Sequence, residues 1–288
     1  MPSYKKNHTI PRFMLDYWID PQTAHKGVHV YEVEKSRTYV STGEGKTAYS
    51  FAIANDLYIH TGGISRAVGL EQWFSGLETV LARLVRQVHA RVDPICYDKV
   101  EDPTLTVMAL VGLECRSPYN LRTIQRALET DESLRAMVDP DSSVSPELQV
   151  KQNIIHSVTE YALDLVPTEM TFFVAPVSHS WLICDRPAFI DESDNTHFVM
   201  LTNKILLAYR RSADIHKSMY LDVTLDFLES ANHMIALQAR DWLVADSADQ
   251  LNQYVGVFQS QEWQDGVNNE RVVFQPIRNI TMGWRISS

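Results

Sequence analysis

Apolar side chains at Leu70, Trp73, Phe74, Leu77, Leu81, Leu84, Val85 and Val88 recur at steps of three and four, a period that an amphipathic helix with one buried face satisfies. From Glu169 that period gives way to short apolar runs, TFFVAPV, SWLICD, HFVML and KILLAYR, each bounded by turn-forming residues. Such runs read as strands of a sheet. A chain that changes period in this way is α+β, with several long amphipathic helices packed with a mixed or antiparallel sheet.

The remaining elements follow from local signals. Pro11 suits the first turn of a short helix carrying Phe13, Met14, Tyr17 and Trp18, ended by Asp20-Pro21, because a missing N–H is harmless there. VHVYEVEKSRTYV alternates and has Lys35-Ser36 at its centre, which predicts an N-terminal β-hairpin with Trp18 beneath it. Ser65 is the expected N-cap of the long helix. Further helices are expected from Pro103 to Cys115, stopped by Pro118, and from Glu147 to Leu165, with the loop DPDSSVSP between them. A last long helix is expected from Asp222 to Ala245, and the tail, with GVFQS, RVVFQ and TMGWRI, reads as strand-like. No repeat and no long linker divides the chain, so residues 1–288 are expected to form a single domain, helix-rich over about 60–165 and sheet-rich over about 169–288.

Composition narrows the class. With 288 residues, 45% of them apolar, the chain needs neither disulfide nor metal to build a core. Cys96, Cys115 and Cys184 are widely spaced and odd in number, which is neither a disulfide framework nor a zinc-site pattern. The start of the chain lacks the apolar run of a secretion signal, and no apolar run approaches the roughly 18 residues of a membrane span. A cytoplasmic protein without membrane contact is the expectation. The net charge of −10 disfavours general adhesion to nucleic acid. It leaves room for a local basic pocket at Lys5, Lys6, His8 and Arg12, or at Lys204, Arg210, Arg211, His216 and Lys217.

Several motifs fail on inspection. Thr42-Gly43-Glu44-Gly45-Lys46-Thr47 ends like a phosphate loop, but the first loop glycine is replaced by Val40 and the segment follows a hairpin, so a polar turn is the reading. Arg83 and His89 match a loose Arg-spacer-His pattern that a solvent-facing helix end also produces. His25 and His29 are interrupted by Gly27, which works against a helical metal pair. Asp139, Asp141 and Ser143 begin like a calcium loop, but Val150 stands where its glutamate belongs. Two residues resist dismissal. Asn232 stands beside Leu228, Ala231 and Ile235 on an apolar helix flank, where its amide must find partners. Asp185 follows the apolar Trp181-Leu182-Ile183-Cys184 at a strand exit.

The run Asn7-His8-Thr9-Ile10-Pro11-Arg12-Phe13 resembles the opening His-x-x-Pro-Arg-Phe of the domain-of-unknown-function 4238 family, found mostly in bacteria. The Tyr58 segment, the helix holding Glu78, Arg116-Ser117-Pro118, Cys184-Asp185-Arg186-Pro187 and Asn232 follow in the family's order. At the strand exit the family typically reads Ser-Asp-Asn-Pro, so Arg186 alters the local charge. The resemblance implies relatives and no activity.

Taken together, His8, Arg12, Glu78, Arg116, Asp185 and Asn232 form a set that packing alone does not demand. His8 is the candidate proton carrier, with Asp185 and Glu78 as catalytic carboxylates that orient it or hold a Mg or Mn ion, and Arg12, Arg116 and Asn232 as substrate-binding groups. That inventory predicts an enzyme acting on a phosphate-bearing substrate, a nuclease-like phosphodiesterase meeting nucleic acid or nucleotide through a local basic pocket. A non-catalytic binding protein with a structural polar network is the competing expectation. The site expectation is convergence of His8, Arg116, Asp185 and Asn232 on one concave site.

Overall fold

A computed structural model describes residues 6–23, 26–45, 48–55, 68–90, 103–117, 155, 158–191, 194–213 and 217–268. His25, Lys46, Thr47, Tyr58, Ser65, Cys96, Pro118, the 139–146 loop and the RVVFQ and TMGWRI runs lie outside these residues.

The chain opens with β1 (Lys6–His8), α1 (Arg12–Leu15) and a 3-10 turn over Asp16–Trp18. The hairpin follows as β2 (Gly27–Glu32) and β3 (Arg37–Thr42), and Ser36 at its turn takes the left-handed conformation with φ 46°. Next come β4 (Ile53–Asn55), which pairs antiparallel with β1, then α2 (Val68–His89) and α3 (Pro103–Cys115). α2 buries Phe74, Leu77, Leu81, Leu84, Val85 and Val88, the periodic face read from the sequence. α3 is apolar nearly all round, and from Thr106 to Cys115 every residue but the half-buried Met108 is buried, as a helix must be when it is enclosed by other elements. It packs against α2 and against the strand Ala188–Asp191.

After a helical stretch over 158–164 come β5 (Thr168–Val174), β6 (Ile183–Cys184), β7 (Ala188–Asp191), β8 (Thr196–Thr202), β9 (Ile205–Arg211) and β10 (Lys217–Asp222). α4 (Leu225–Gln238), β11 (Trp242–Ala245), α5 (Ala248–Tyr254) and α6 (Gln261–Asn268) complete the described chain. One sheet has the order β10-β5-β9-β8-β7, parallel only between β10 and β5. A second, antiparallel sheet has the order β3-β2-β11-β6. The fold is therefore α+β. No helix among the described residues is long and apolar enough to cross a membrane.

Three expectations change. The helix expected from Asp222 to Ala245 ends at Gln238, and Trp242–Ala245 is a strand buried at every residue between β2 and β6. The cause lies elsewhere in the chain, because Asp185 takes the N–H groups of Arg240, Asp241 and Trp242 on its Oδ1 and draws the chain out of helix. GVFQS lies in a 3-10 turn and helix end rather than a strand. α5 and α6 add helices to the half expected to be sheet-rich; α5 is capped by Ser247, whose side chain accepts from the N–H of Gln250.

The two strands of the hairpin approach each other closely at Gly27. A Cβ on Gly27 would stand 2.8 Å from the carbonyl oxygen of Ser41, and a backbone atom cannot rotate away. Gly27→Ala is therefore expected to destabilise the protein by about 1–3 kcal/mol, measured as a lower midpoint in urea unfolding.

Candidate functional site

The N-terminal segment is laid against the loop after β3 and fastened by side chains. Thr9 donates through its N–H and its hydroxyl to the carbonyl of Ala52, at 2.8 and 3.1 Å, which fixes the exit of β1. Pro11 stands as the N-cap of α1, one place before the first helical residue expected for it, and makes no side-chain cap. Arg12 then donates from Nη2 to the carbonyl of Gly43 at 2.5 Å. His8 donates from Nε2 to the carbonyl of Ala48 at 3.4 Å, and because a carbonyl can only accept, Nδ1 keeps its lone pair. Tyr49, left-handed at φ 49°, donates its hydroxyl to Asp16 Oδ1 at 2.7 Å. Gly43, in the segment read as a defective phosphate loop, and Ala48 and Tyr49, just after it, are thus held by residues 8–16.

Glu78 and Arg116 join this clasp from the helices. Arg116 follows the C-terminus of α3, where a cation is favourable, and its guanidinium lies 5.7 Å from the centre of the Phe74 ring. Its Nη1 is ion-paired with Glu78 Oε1; the Arg116 side chain is 5% exposed and the Glu78 side chain 32%. Burial pushes the His8 pKa below its ordinary 6.5, and the charges of Arg116 and Arg12 push it the same way against the Ala48 carbonyl. His8 thus feels the charges of Arg116 and Arg12, and Glu78 is linked to them through its ion pair with Arg116.

Asp185 and Asn232 are used differently. Asp185 is buried, and its Oδ1 accepts from Arg240, Asp241 and Trp242 at 2.9, 3.1 and 3.3 Å. Its Oδ2 is buried without a hydrogen-bond partner among the described residues. Burial, with the nearby Asp241 charge, pushes the Asp185 pKa from 3.8 up to about 6. Asn232 Oδ1 accepts from the N–H of Leu182 at 2.9 Å, and its Nδ2 donates to the carbonyl of Ser180 at 3.0 Å. Both side chains hold backbone, and none of these hydrogen bonds reaches His8 or either arginine. The expected convergence of Asp185 and Asn232 with His8 and Arg116 has no hydrogen bond to support it.

A buried polar cluster escaped the sequence reading. Glu114 and His197, both with fully buried side chains, are paired at 3.0 Å through His197 Nδ1. Tyr209 donates its hydroxyl to Glu114 Oε1. Tyr161 is bonded through its hydroxyl to His197 Nε2 at 2.8 Å. Burial and the Glu114 charge raise the pKa values of both phenols. Glu114 and Arg116 are two residues apart at the end of α3, so they leave the helix in nearly opposite directions. One polar group therefore faces β8 and β9 and the other α2. A single glutamate in the apolar stretch VMALVGLEC was the available signal.

Comparison with known proteins gives one match. The family model described as a protein of unknown function (DUF4238) covers residues 6–249, a span that includes both polar groups. No curated protein and no solved structure matches the chain.

Two outcomes test the anchoring roles. Asn232→Ala strands the buried N–H of Leu182 and is expected to lower stability by about 1–3 kcal/mol, seen as a fall of a few degrees in Tm. For Asp185 the folded pKa lies above the ordinary one, so the folded state binds the proton more tightly. The stabilisation this gives is complete below about pH 4 and is lost as pH rises through about 6. Urea unfolding across that window is expected to show wild type losing stability relative to Asp185→Asn, which cannot ionise. A constant difference between the two proteins would contradict it.

Proposed function

Because the chain belongs to the DUF4238 family, whose description names no activity, we propose from its own geometry that it is an enzyme acting on a phosphate-bearing substrate, a nuclease-like phosphodiesterase centred on His8. The observation that carries the reading is geometric: the His8 imidazole and the Arg12 guanidinium are bonded to the carbonyls of Ala48 and Gly43, and the charges of Arg116 and Arg12 both reach the ring. A neutral imidazole is a base, and guanidinium groups are the preferred partners of phosphate oxygens. With Nε2–H committed to Ala48, Nδ1 is the atom that takes a proton from the attacking water or hydroxyl. The new P–O bond forms as the bond to the leaving oxygen breaks, and His8 then returns its proton to that leaving group. Arg12 gives one N–H to Gly43 and has further donors for the phosphoryl oxygens, five in all on a guanidinium. Glu78 holds Arg116 in place through their ion pair, and its partly exposed carboxylate is the one that would meet a Mg or Mn ion carried by the substrate.

A second reading, a binding protein in which this polar set is structural, is favoured by the anchoring bonds themselves, since His8 is bonded to Ala48 and Arg12 to Gly43. Thermal unfolding separates the two. If His8 serves catalysis, His8→Ala leaves Tm within about a degree of wild type; a structural His8 gives a fall of several degrees, the scale of about 1–2 kcal/mol.

The direct test is a screen of purified protein against single- and double-stranded DNA and RNA and small nucleotides, with and without magnesium or manganese. Cleavage that disappears in His8→Ala while Tm is unchanged is the expected result. Its acid limb in kcat/KM is expected at a midpoint below 6.5, because the base works only when neutral and its pKa is lowered. Cleavage that survives His8→Ala would remove His8 from the mechanism.

A further inference from the structure

Away from His8, Tyr161, Asp164, Asp194, Arg210 and Arg211 are among the residues lining a cavity of about 300 Å³, at the small end of the range for ligand pockets. The charges on its walls are unequally committed. Arg210 is engaged by Asp194 at 3.2 Å and by Glu169 at 3.4 Å. The side chains of Arg211 and Asp164, both exposed residues, form no hydrogen bond or ion pair with any described residue. One cation and one anion are therefore left facing a volume small enough for a single molecule to meet both. The remaining feature is aromatic: Tyr161 is buried, and its hydroxyl is tied to His197 Nε2 at 2.8 Å, with His197 in turn held by Glu114. The buried cluster thus holds that ring rigidly at the wall.

We propose that this cavity binds a small zwitterion of the free α-amino-acid class. Arg211 takes the carboxylate, for which a planar guanidinium fork is the matched partner. Asp164 takes the ammonium group, assisted by Tyr161, whose ring attracts a cation and whose phenolic oxygen keeps a lone pair to accept an N–H. A simple anion would meet Asp164 and Asp194, and a simple cation would meet Arg211, so each is disfavoured where the zwitterion is matched. Rigid placement of Tyr161 lowers the ordering that binding demands. The proposal is independent of the phosphodiesterase reading, because it uses none of His8, Arg12, Glu78 or Arg116.

The test is calorimetric titration of the full chain with the standard free amino acids, their N-acetylated and methyl-ester forms, and inorganic phosphate. At least one free amino acid is expected to bind, with affinity weakened about tenfold or more by either blocking group. Arg211→Gln and Asp164→Asn are each expected to weaken it by a similar factor while Tm stays at the wild-type value. Arg211→Gln should reduce the penalty of esterification, and Asp164→Asn that of N-acetylation, because each removes the partner of the group that is blocked. No binding by any free amino acid, equal binding of blocked and free forms, binding of inorganic phosphate alone, or affinity that survives both substitutions would each overturn the proposal.

Discussion

The backbone of residues 180–182 is the knot on which the rest of the architecture hangs. It runs through the core, where an unpaired peptide group is costly, and its hydrogen bonds go mainly to side chains and to a turn. Ser180 gives its carbonyl to Asn232 at 3.0 Å and to Gln250 at 2.5 Å. Leu182 gives its N–H to Asn232, Trp181 gives its carbonyl to the Trp18 indole at 2.7 Å, and the Trp181 N–H goes to the carbonyl of Asn203 at 2.8 Å. Four distant elements, the turn after α1, the turn between β8 and β9, α4 and α5, are thereby tied to one stretch of chain. The amide of Asn232 matches this duty because it accepts and donates at once; a carboxylate or an apolar residue there would satisfy only half of it or none.

Asp185 extends the same logic three residues later. Its one oxygen gathers three successive N–H groups, which ends the helical path after α4 and starts β11. Because β11 lies between β2 and β6, that single carboxyl helps set the centre of the antiparallel sheet. Its other oxygen is buried with no hydrogen-bond partner among the described residues, and the raised pKa follows first from desolvation. The landmark Cys184-Asp185-Arg186-Pro187 therefore has an architectural reason to be there.

Much of the fold was legible in the sequence, and the parts that were not share a cause. α2, the hairpin, β5, β8 and β9 follow from periodicity, since each buries one face or lies wholly in the core and local pattern decides its state. The break between α4 and β11 does not, because the group that makes it stands 55 residues away. The need of Asn232 for partners could be read from its apolar neighbours, but the partners could not. Glu114 satisfied the same criterion, a polar group among buried apolar ones. Applied there, that argument would have pointed to a buried partner, and only the fold supplies His197, Tyr161 and Tyr209. Of the residues named for a site, His8, Arg12, Glu78 and Arg116 form one group, whereas Asp185 and Asn232 act on backbone, because residue type announces chemistry but not which neighbour uses it.

Charge further bounds what approaches His8. At −10 overall, the chain repels a long polyanion at a distance. At physiological salt, however, exposed charges are screened beyond roughly 8 Å, so a phosphate that has reached His8 is governed by Arg12, Arg116 and Glu78 rather than by the total. Arg116 is buried and paired, which leaves Arg12 as the exposed cation that meets an incoming group first. On the proposed reading this arrangement favours a substrate with few phosphates, for which the local attraction outweighs the long-range repulsion, over an extended duplex, for which repulsion accumulates along the strand. The same reasoning explains why the clasp matters even where it is structural: by holding Arg12 against Gly43 it fixes one positive charge beside a base that burial keeps neutral.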